Sequence, residues 1–384
     1  LSHSSRIGLM PLWLALLLIF SLSWCFAQPH GRTEINIPDI PGYLTLKCDF
    51  HSHTVFSDGD VWPTVRVEEA WLQGLDAIAI TDHIEYQIHS DDIKKNHNRP
   101  YAIARSRAAE LGIILIKGAE ITRDMPPGHF NALFLNDIDP LDTKDWRDAL
   151  KAANDQGAFV FWNHPGWRQP NEIPIWYDEH TELLQRGWFQ GIEIVNEYSF
   201  YPKAFQWAQE KNLTILGNSD VHSPIHLTYD VSAGQHRPIT LVFAKERSEA
   251  GIHQALRTQH TAVYHNNLVI GSAQFLAPIF ETAVHIIPLR VAIKGTGRAT
   301  VQIQNRSGLL FELMATNALE EISFPETILL YPEKTVAIQL KGKSKTLTGK
   351  KHIALPFLVK NFLSTPDRGL PVSLTIEIEF ISDI

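Results

Sequence analysis

Cysteine is nearly absent from this 384-residue chain, which holds only Cys25 and Cys48. That excludes a disulfide scaffold and a Cys-rich zinc module. Basic side chains are also in deficit: 34 Lys and Arg stand against 42 Asp and Glu, for a net charge of −8. A binder of long nucleic acid or of an anionic membrane surface normally carries the opposite sign. No internal repeat or low-complexity tract is present. Hydrophobic residues make up 44% of the chain, enough for a large core, so global disorder is excluded as well. The length fits two domains, or one barrel and an addition. The unusual abundance is His, with 18 residues. Scattered His means little; clustered His points to metal.

The N-terminus reads as a targeting segment. Arg6 precedes an apolar run from Leu9 to Phe26, which ends in Cys25-Phe26-Ala27 before Gln28. This pattern predicts an export signal, residues 1–27, cleaved after Ala27. An uncleaved anchor is the alternative, since about 18 apolar residues just span a bilayer. Pro11 and the small-residue exit favour cleavage, which leaves no stable membrane insertion. The mature chain then keeps one cysteine, Cys48, and cannot form an internal disulfide. A periplasmic or secreted bacterial protein is expected. Residues 28–43 are rich in Pro and Gly and read as a linker.

From residue 44 to about 270, short apolar runs alternate with helical patterns. Examples are Leu44–Phe50, Pro63–Gln73, Ala77–Thr81 and Tyr101–Leu111. Such alternation over roughly 200 residues predicts a parallel sheet closed into an α/β barrel. Residues 271–384 change character: runs such as His285–Ile293, Thr335–Leu340 and Val372–Ile381 predict a small antiparallel, sandwich-like β domain.

The strands of the first region end in polar motifs. Asp49-Phe50-His51-Ser52-His53 closes the first, and its two His share one face at i and i+2. Ser57-Asp58-Gly59 follows as a turn able to return a carboxylate to that mouth. Thr81-Asp82-His83, Gly118-Ala119-Glu120, Asn163-His164-Pro165 and Asn218-Ser219-Asp220-Val221-His222 close four more strands. His129 stands in a Pro-Pro-Gly-His-Phe turn. Each motif alone reads as a polar strand terminus. Five together, at the barrel end that carries active sites, predict a multinuclear metal site.

The series DFHSHT…SDG, AITDH, KGAEIT, NHP and NSDVH resembles the polymerase and histidinol phosphatase (PHP) family, over roughly residues 45–265. The resemblance implies a distorted seven-stranded (β/α)7 barrel with two to three divalent ions at its C-terminal mouth. It also implies their ligands: His51, His53, Glu120 and Asp220 for one ion; Glu120, His129 and His164 for a second; Asp58, His83 and His222 for a third. Family members commonly carry His where Asp58 stands. The donors are imidazole and carboxylate without thiolate, which suits zinc, manganese or iron. The implied activity is hydrolysis of a phosphate ester, with Glu120 and Asp220 central and water between the ions as nucleophile.

Arg123 and Arg168 follow ligand strands and are candidates to hold a phosphate oxygen. Trp167 and Tyr198 are candidates for a substrate wall. Asp49 and Asp82 read as acceptors that orient neighbouring imidazoles. Cys48 reads as a core residue, and His89 and His226 as ordinary histidines near the motifs. Asn163, Asn196 and Asn218 end strands without a readable role. The expected substrate is a small phosphorylated molecule, monoester or diester. A nuclease is the alternative within the same chemistry, and the negative charge argues against long nucleic acid. C–N bond hydrolysis lacks a Lys placed to bridge two ions as a carbamate. A metal-binding protein without activity is the remaining reading.

Overall fold

The structure, a computed structural model, describes residues 31–384. The expected export signal therefore lies outside the described residues. Eleven strands make up the first region: β1 (Leu44–Asp49), β2 (Ala77–Ile80), β3 (Ile114–Ile121), β4 (Phe130–Leu133), β5 (Phe159–Trp162), β6 (Gly191–Asn196), β7 (Ser199–Phe200), β8 (Thr214–Asn218), β9 (Ile239–Ala244), β10 (Thr261–His265) and β11 (Leu268–Gly271). Helices α1 (Pro63–Leu72), α2 (Arg99–Leu111), α3 (Trp146–Asp155), α4 (Asp178–Gln185), α5 (Pro202–Lys211), α6 (Ile225–Thr228) and α7 (Glu249–Arg257) lie between them. Pro63 and Pro202 occupy first-turn positions, where a missing N–H costs nothing. Asp145 and Ser248 cap α3 and α7 by accepting backbone N–H groups.

The sheet holds the parallel strands that the alternation predicts, with antiparallel strands among them. β1, β2 and β3 run parallel, as do β5, β6 and β8. β4 is antiparallel to both β3 and β5, because no crossover helix separates it from β3 and the Pro126-Pro127-Gly128 turn reverses the chain. β9 is antiparallel to β1 and β10, and β10 packs beside β8 to bring the sheet round on itself. The central strands Ala77–Ile80 and Phe159–Trp162 are buried throughout, as expected for strands covered on both faces.

The second region begins with a helix that strand-type runs do not predict, α8 (Ala273–Ala283). Phe275, Leu276, Ile279, Phe280 and Ala283 recur at helical spacing and are all buried. Nine strands follow: β12 (Val284–Ile287), β13 (Arg290–Lys294), β14 (Arg298–Asn305), β15 (Phe311–Ala315), β16 (Ile322–Ser323), β17 (Thr327–Leu330), β18 (Thr335–Gly342), β19 (Gly349–Thr365) and β20 (Arg368–Ile381). One sheet is ordered β12-β14-β18-β16; the other contains β13, β20, β19, β15 and β17. Alternating buried and exposed positions in β14, β18 and β20 give each sheet one core face.

The two regions share a sheet and a core. β11 pairs in parallel with β19, Val269 opposite Phe362 and Ile270 opposite Leu363. One apolar cluster runs from Val67 and Ala104 under the barrel helices, through Phe275 and Ile279, to Leu355 and Phe357 of the β domain. Residues 31–39 form no helix or strand but pack as a strap. Thr33 N–H donates to the Leu72 carbonyl, and Gly308 N–H donates to the Asn36 carbonyl. Ile37 and Ile40 are buried in the shared core. Among the described residues no helix is long and apolar enough to cross a membrane.

Candidate metal centre

The ligand-type side chains meet at the ends of β1, β2, β3, β5 and β8. His51 and His53 follow β1, where their i, i+2 spacing turns both rings inward. Both are fully buried. His51 Nε2 lies 2.9 Å from Glu120 Oε2 and 3.0 Å from Asp220 Oδ1. His53 Nε2 lies 3.2 and 3.0 Å from the same two oxygens. Glu120 Oε1 meets His129 Nδ1 at 2.7 Å and His164 Nε2 at 3.6 Å. Asp58 Oδ1 faces His222 Nε2 at 3.3 Å, His83 Nε2 at 3.5 Å and His53 Nδ1 at 3.8 Å. His83 Nδ1 also lies 3.3 Å from Glu120 Oε2. All nine expected ligand side chains thus converge, and His53 stands between two groups through its two ring nitrogens.

Local geometry explains the convergence. Asp58 is carried by a turn closed by Gly59, whose N–H donates to the Thr54 carbonyl. A Cβ at Gly59 would meet the His53 carbonyl carbon at 2.6 Å, so only glycine lets the turn fold back this far. Asp82 accepts from Thr54 N–H at 2.6 Å and from the Ser57 hydroxyl at 2.7 Å. It therefore holds the turn that carries Asp58, not an imidazole. Asp49 likewise orients backbone. It accepts from Ser219 N–H and the Ser219 hydroxyl and pairs with buried Arg237 at 2.9 Å. His164 and Asp220 have φ of 25° and 49°, a left-handed strain typical of functional positions.

The electrostatics follow from burying acids among imidazoles. Burial alone would favour neutral His51, yet Asp220, Glu193 and Glu120 hold its pKa well above the ordinary value. Burial also opposes the charge of Glu120, but His83, His51 and His129 pull its pKa well below the carboxylate range. Asp220 is lowered in the same way by His51 and His53 against its own burial. His129 is lowered by burial, partly offset by Glu120. The donor set fits divalent cations. His53 Nε2, Asp58 Oδ1 and His164 Nδ1 are buried without a hydrogen bond, and carboxylate oxygens sit between converging imidazole nitrogens. Three groups have donor atoms within 4.8 Å of one another: His51, His53, Glu120 and Asp220; His53, Asp58, His83 and His222; and His83, Glu120 and His129.

A cavity of about 390 Å³ opens over the cluster, with Trp167, Arg168, Glu172, Glu197, Ser199 and Tyr201 in its wall. Of the two expected arginines, Arg168 lines this cavity and Arg123 does not. The Arg123 guanidinium is tied to Glu85 and to the carbonyls of Thr122 and Thr143. Trp167 forms wall as expected, whereas Tyr198 donates to the Thr228 carbonyl outside the cavity, and Tyr201 takes its place. His226 is exposed on α6, His89 lies outside the cavity lining, and Cys48 is buried in the core.

Glu193 escaped the motif reading. It sits mid-strand in β6, in the run Gly-Ile-Glu-Ile-Val-Asn, is fully buried, and bonds His51 Nδ1 at 2.9 Å. The available signal was a lone acid inside an otherwise apolar strand. Asn196 and Asn218, left without a role, both donate to it at 2.9 Å.

Comparison with known proteins agrees with this geometry. Residues 284–375 match the Ig-like domain family. The crystal structure of a two-domain protein of Bacteroides vulgatus, containing a predicted PHP-like metal-dependent phosphoesterase, superposes with a TM-score of 0.85 at 46% identity. The match covers 91% of this chain and all of that one. An uncharacterized protein of Methanocaldococcus jannaschii is 38% identical over 84 residues, and a 5'-3' exoribonuclease of Haemophilus influenzae is 37% identical over 79. Each match takes in 21% of this chain and spans only 36% and 24% of the respective relative.

Proposed function

Since the chain belongs to the PHP-like metal-dependent phosphoesterases, in their two-domain form with a C-terminal Ig-like domain, we propose that it hydrolyses a phosphate ester of a small molecule outside the cytoplasm. The observation that carries this reading is the convergence of nine imidazole and carboxylate side chains beneath one cavity. His51, His53, Glu120 and Asp220 would hold one divalent ion, Glu120, His129 and His164 a second, and Asp58, His83 and His222 a third. When bound, such ions supply Lewis-acid polarisation of the phosphoryl group and acidify water. Glu120 is the shared carboxylate, touching imidazoles of all three sets.

The chain's own residues supply orientation. The Arg168 guanidinium stacks over Trp167, 4.2 Å from its ring centroid, and among the described residues its one ion pair is with exposed Asp124 at 3.8 Å. It is therefore available to a phosphate oxygen at the mouth. Glu172 and Glu197 line the same cavity, and their negative charge disfavours a second phosphate. That arrangement opposes the nuclease reading, which the likeness to an exoribonuclease favours. Export is supported by the apolar run from Leu9 to Phe26 and the small residue Ala27 that follows it.

The test is a panel of phosphate monoesters, diesters and oligonucleotides, offered to the full chain loaded with zinc, manganese or iron. Turnover of small esters without oligonucleotide cleavage is expected. No turnover of any phosphate ester by loaded protein sinks the reading.

A further inference from the structure

One buried carboxylate is used to its full capacity behind the ligands. Glu193 Oε1 accepts from His51 Nδ1 and from Asn218 Nδ2, each at 2.9 Å. Its Oε2 accepts from the backbone N–H of His164 at 2.7 Å and from Asn196 Nδ2 at 2.9 Å. A carboxylate offers about four acceptor positions, and here each meets a donor. The donor end of Asn218 is fixed by chemistry, since its Oδ1 accepts from Phe50 N–H at 2.9 Å. Asn196 extends the network by donating to Asp220 Oδ2 at 3.3 Å. Glu193 thus reaches ligands that end three different strands, β1, β5 and β8.

We infer that Glu193 is the positioning residue that couples these ligands. Its carboxylate keeps the hydrogen of His51 on Nδ1 and pins the left-handed backbone of His164, so that both ligands are set for metal uptake. With Nδ1–H donated to Glu193, the Nε2 lone pair of His51 is the one aimed at Glu120 and Asp220. The bond to His164 holds that residue at φ 25° at the end of β5, where its ring stacks 5.8 Å from that of His51. Glutamine fills the same volume but cannot replace this role. Whichever way its amide turns, the NH₂ group faces two donors.

The inference rests on the metal-site reading but not on the reaction, so its test reads metal binding. In the full chain, Glu193→Gln is titrated with zinc and with manganese while far-UV circular dichroism monitors the fold. A native spectrum with metal Kd raised about 10- to 100-fold is expected, the range for lost outer partners of ligating His. A folded variant that binds metal within twofold of the wild type overturns the inference. Should the variant fail to fold, ¹⁵N-histidine spectra of zinc-loaded wild type decide: His51 must show Nδ1 protonated and Nε2 coordinated, and the reverse overturns the proposal. Loaded protein inactive on every ester would remove the function above and leave this result standing.

Discussion

At the residue scale, Glu120 is the most heavily shared group, with its two oxygens facing five imidazoles. Glu120→Gln keeps its shape and removes its charge. It should lower kcat/KM by at least about 100-fold, beyond the effect of losing an outer partner. Metal analysis should show fewer ions per chain; full metal content and activity would remove Glu120 from the site. His180 illustrates the opposite electrostatics. It is buried, stacks on Trp162, donates from Nε2 to the Pro127 carbonyl and accepts from Tyr177 N–H at Nδ1. Burial lowers its pKa to about 4, and the same holds for His265. The unfolded chain binds these protons below about pH 6.5 and the folded chain only near pH 4, so stability falls as pH falls through that window. Each group contributes about 3 kcal/mol over the whole interval. Urea midpoints should fall steadily from pH 7 to pH 4.5, and a flat profile would refute the account.

At the element scale, the ligands were legible because strand periodicity puts i and i+2 on one face and because several strands end alike. The His51/His53 and Asp220/His222 pairs needed nothing more. Orientation within loops was not legible. Arg123 and Arg168 both follow ligand strands, yet Glu85 captures one, while a left-handed residue in the 164–172 turn aims the other at the mouth. Tyr198 and Tyr201 are three residues apart, and which of them lines the cavity depends on how β7 leaves β6. Glu193 was missed because burial partners, not spacing, give it a role. The helix α8 carried a readable 3.6-residue period that the surrounding strand-type runs obscured. The 164–172 turn depends on Gly166, where a Cβ would meet the Glu172 carbonyl at 2.3 Å and Tyr201 at 2.5 Å. Gly166→Ala should cost about 1–3 kcal/mol as overpacking and displace the cavity wall. A lower Tm together with a raised KM is expected; an unchanged Tm would contradict the close approach.

At the scale of the whole molecule, the barrel and the Ig-like domain share a sheet and a core and should therefore unfold as one body. The strap buries Ile37, and Ile40 follows it, in the core that both regions share. Ile37→Ala or Ile40→Ala should each cost about 2–5 kcal/mol, as for other buried isoleucines. Calorimetry should still show a single transition at a lower temperature. Two separated transitions would mean that the regions fold independently.

The β11–β19 pairing also bears on how the two regions respond to the redox state of their surroundings. Exported proteins often hold their parts together with a covalent cross-link whose integrity follows the redox state of the surroundings. Here the join is a ladder of backbone hydrogen bonds over a common apolar core, and Cys48 is buried with its thiol pKa raised by burial. Among the described residues no cysteine lies in that seam. The shape of the described residues should therefore not depend on whether the surroundings are oxidising or reducing.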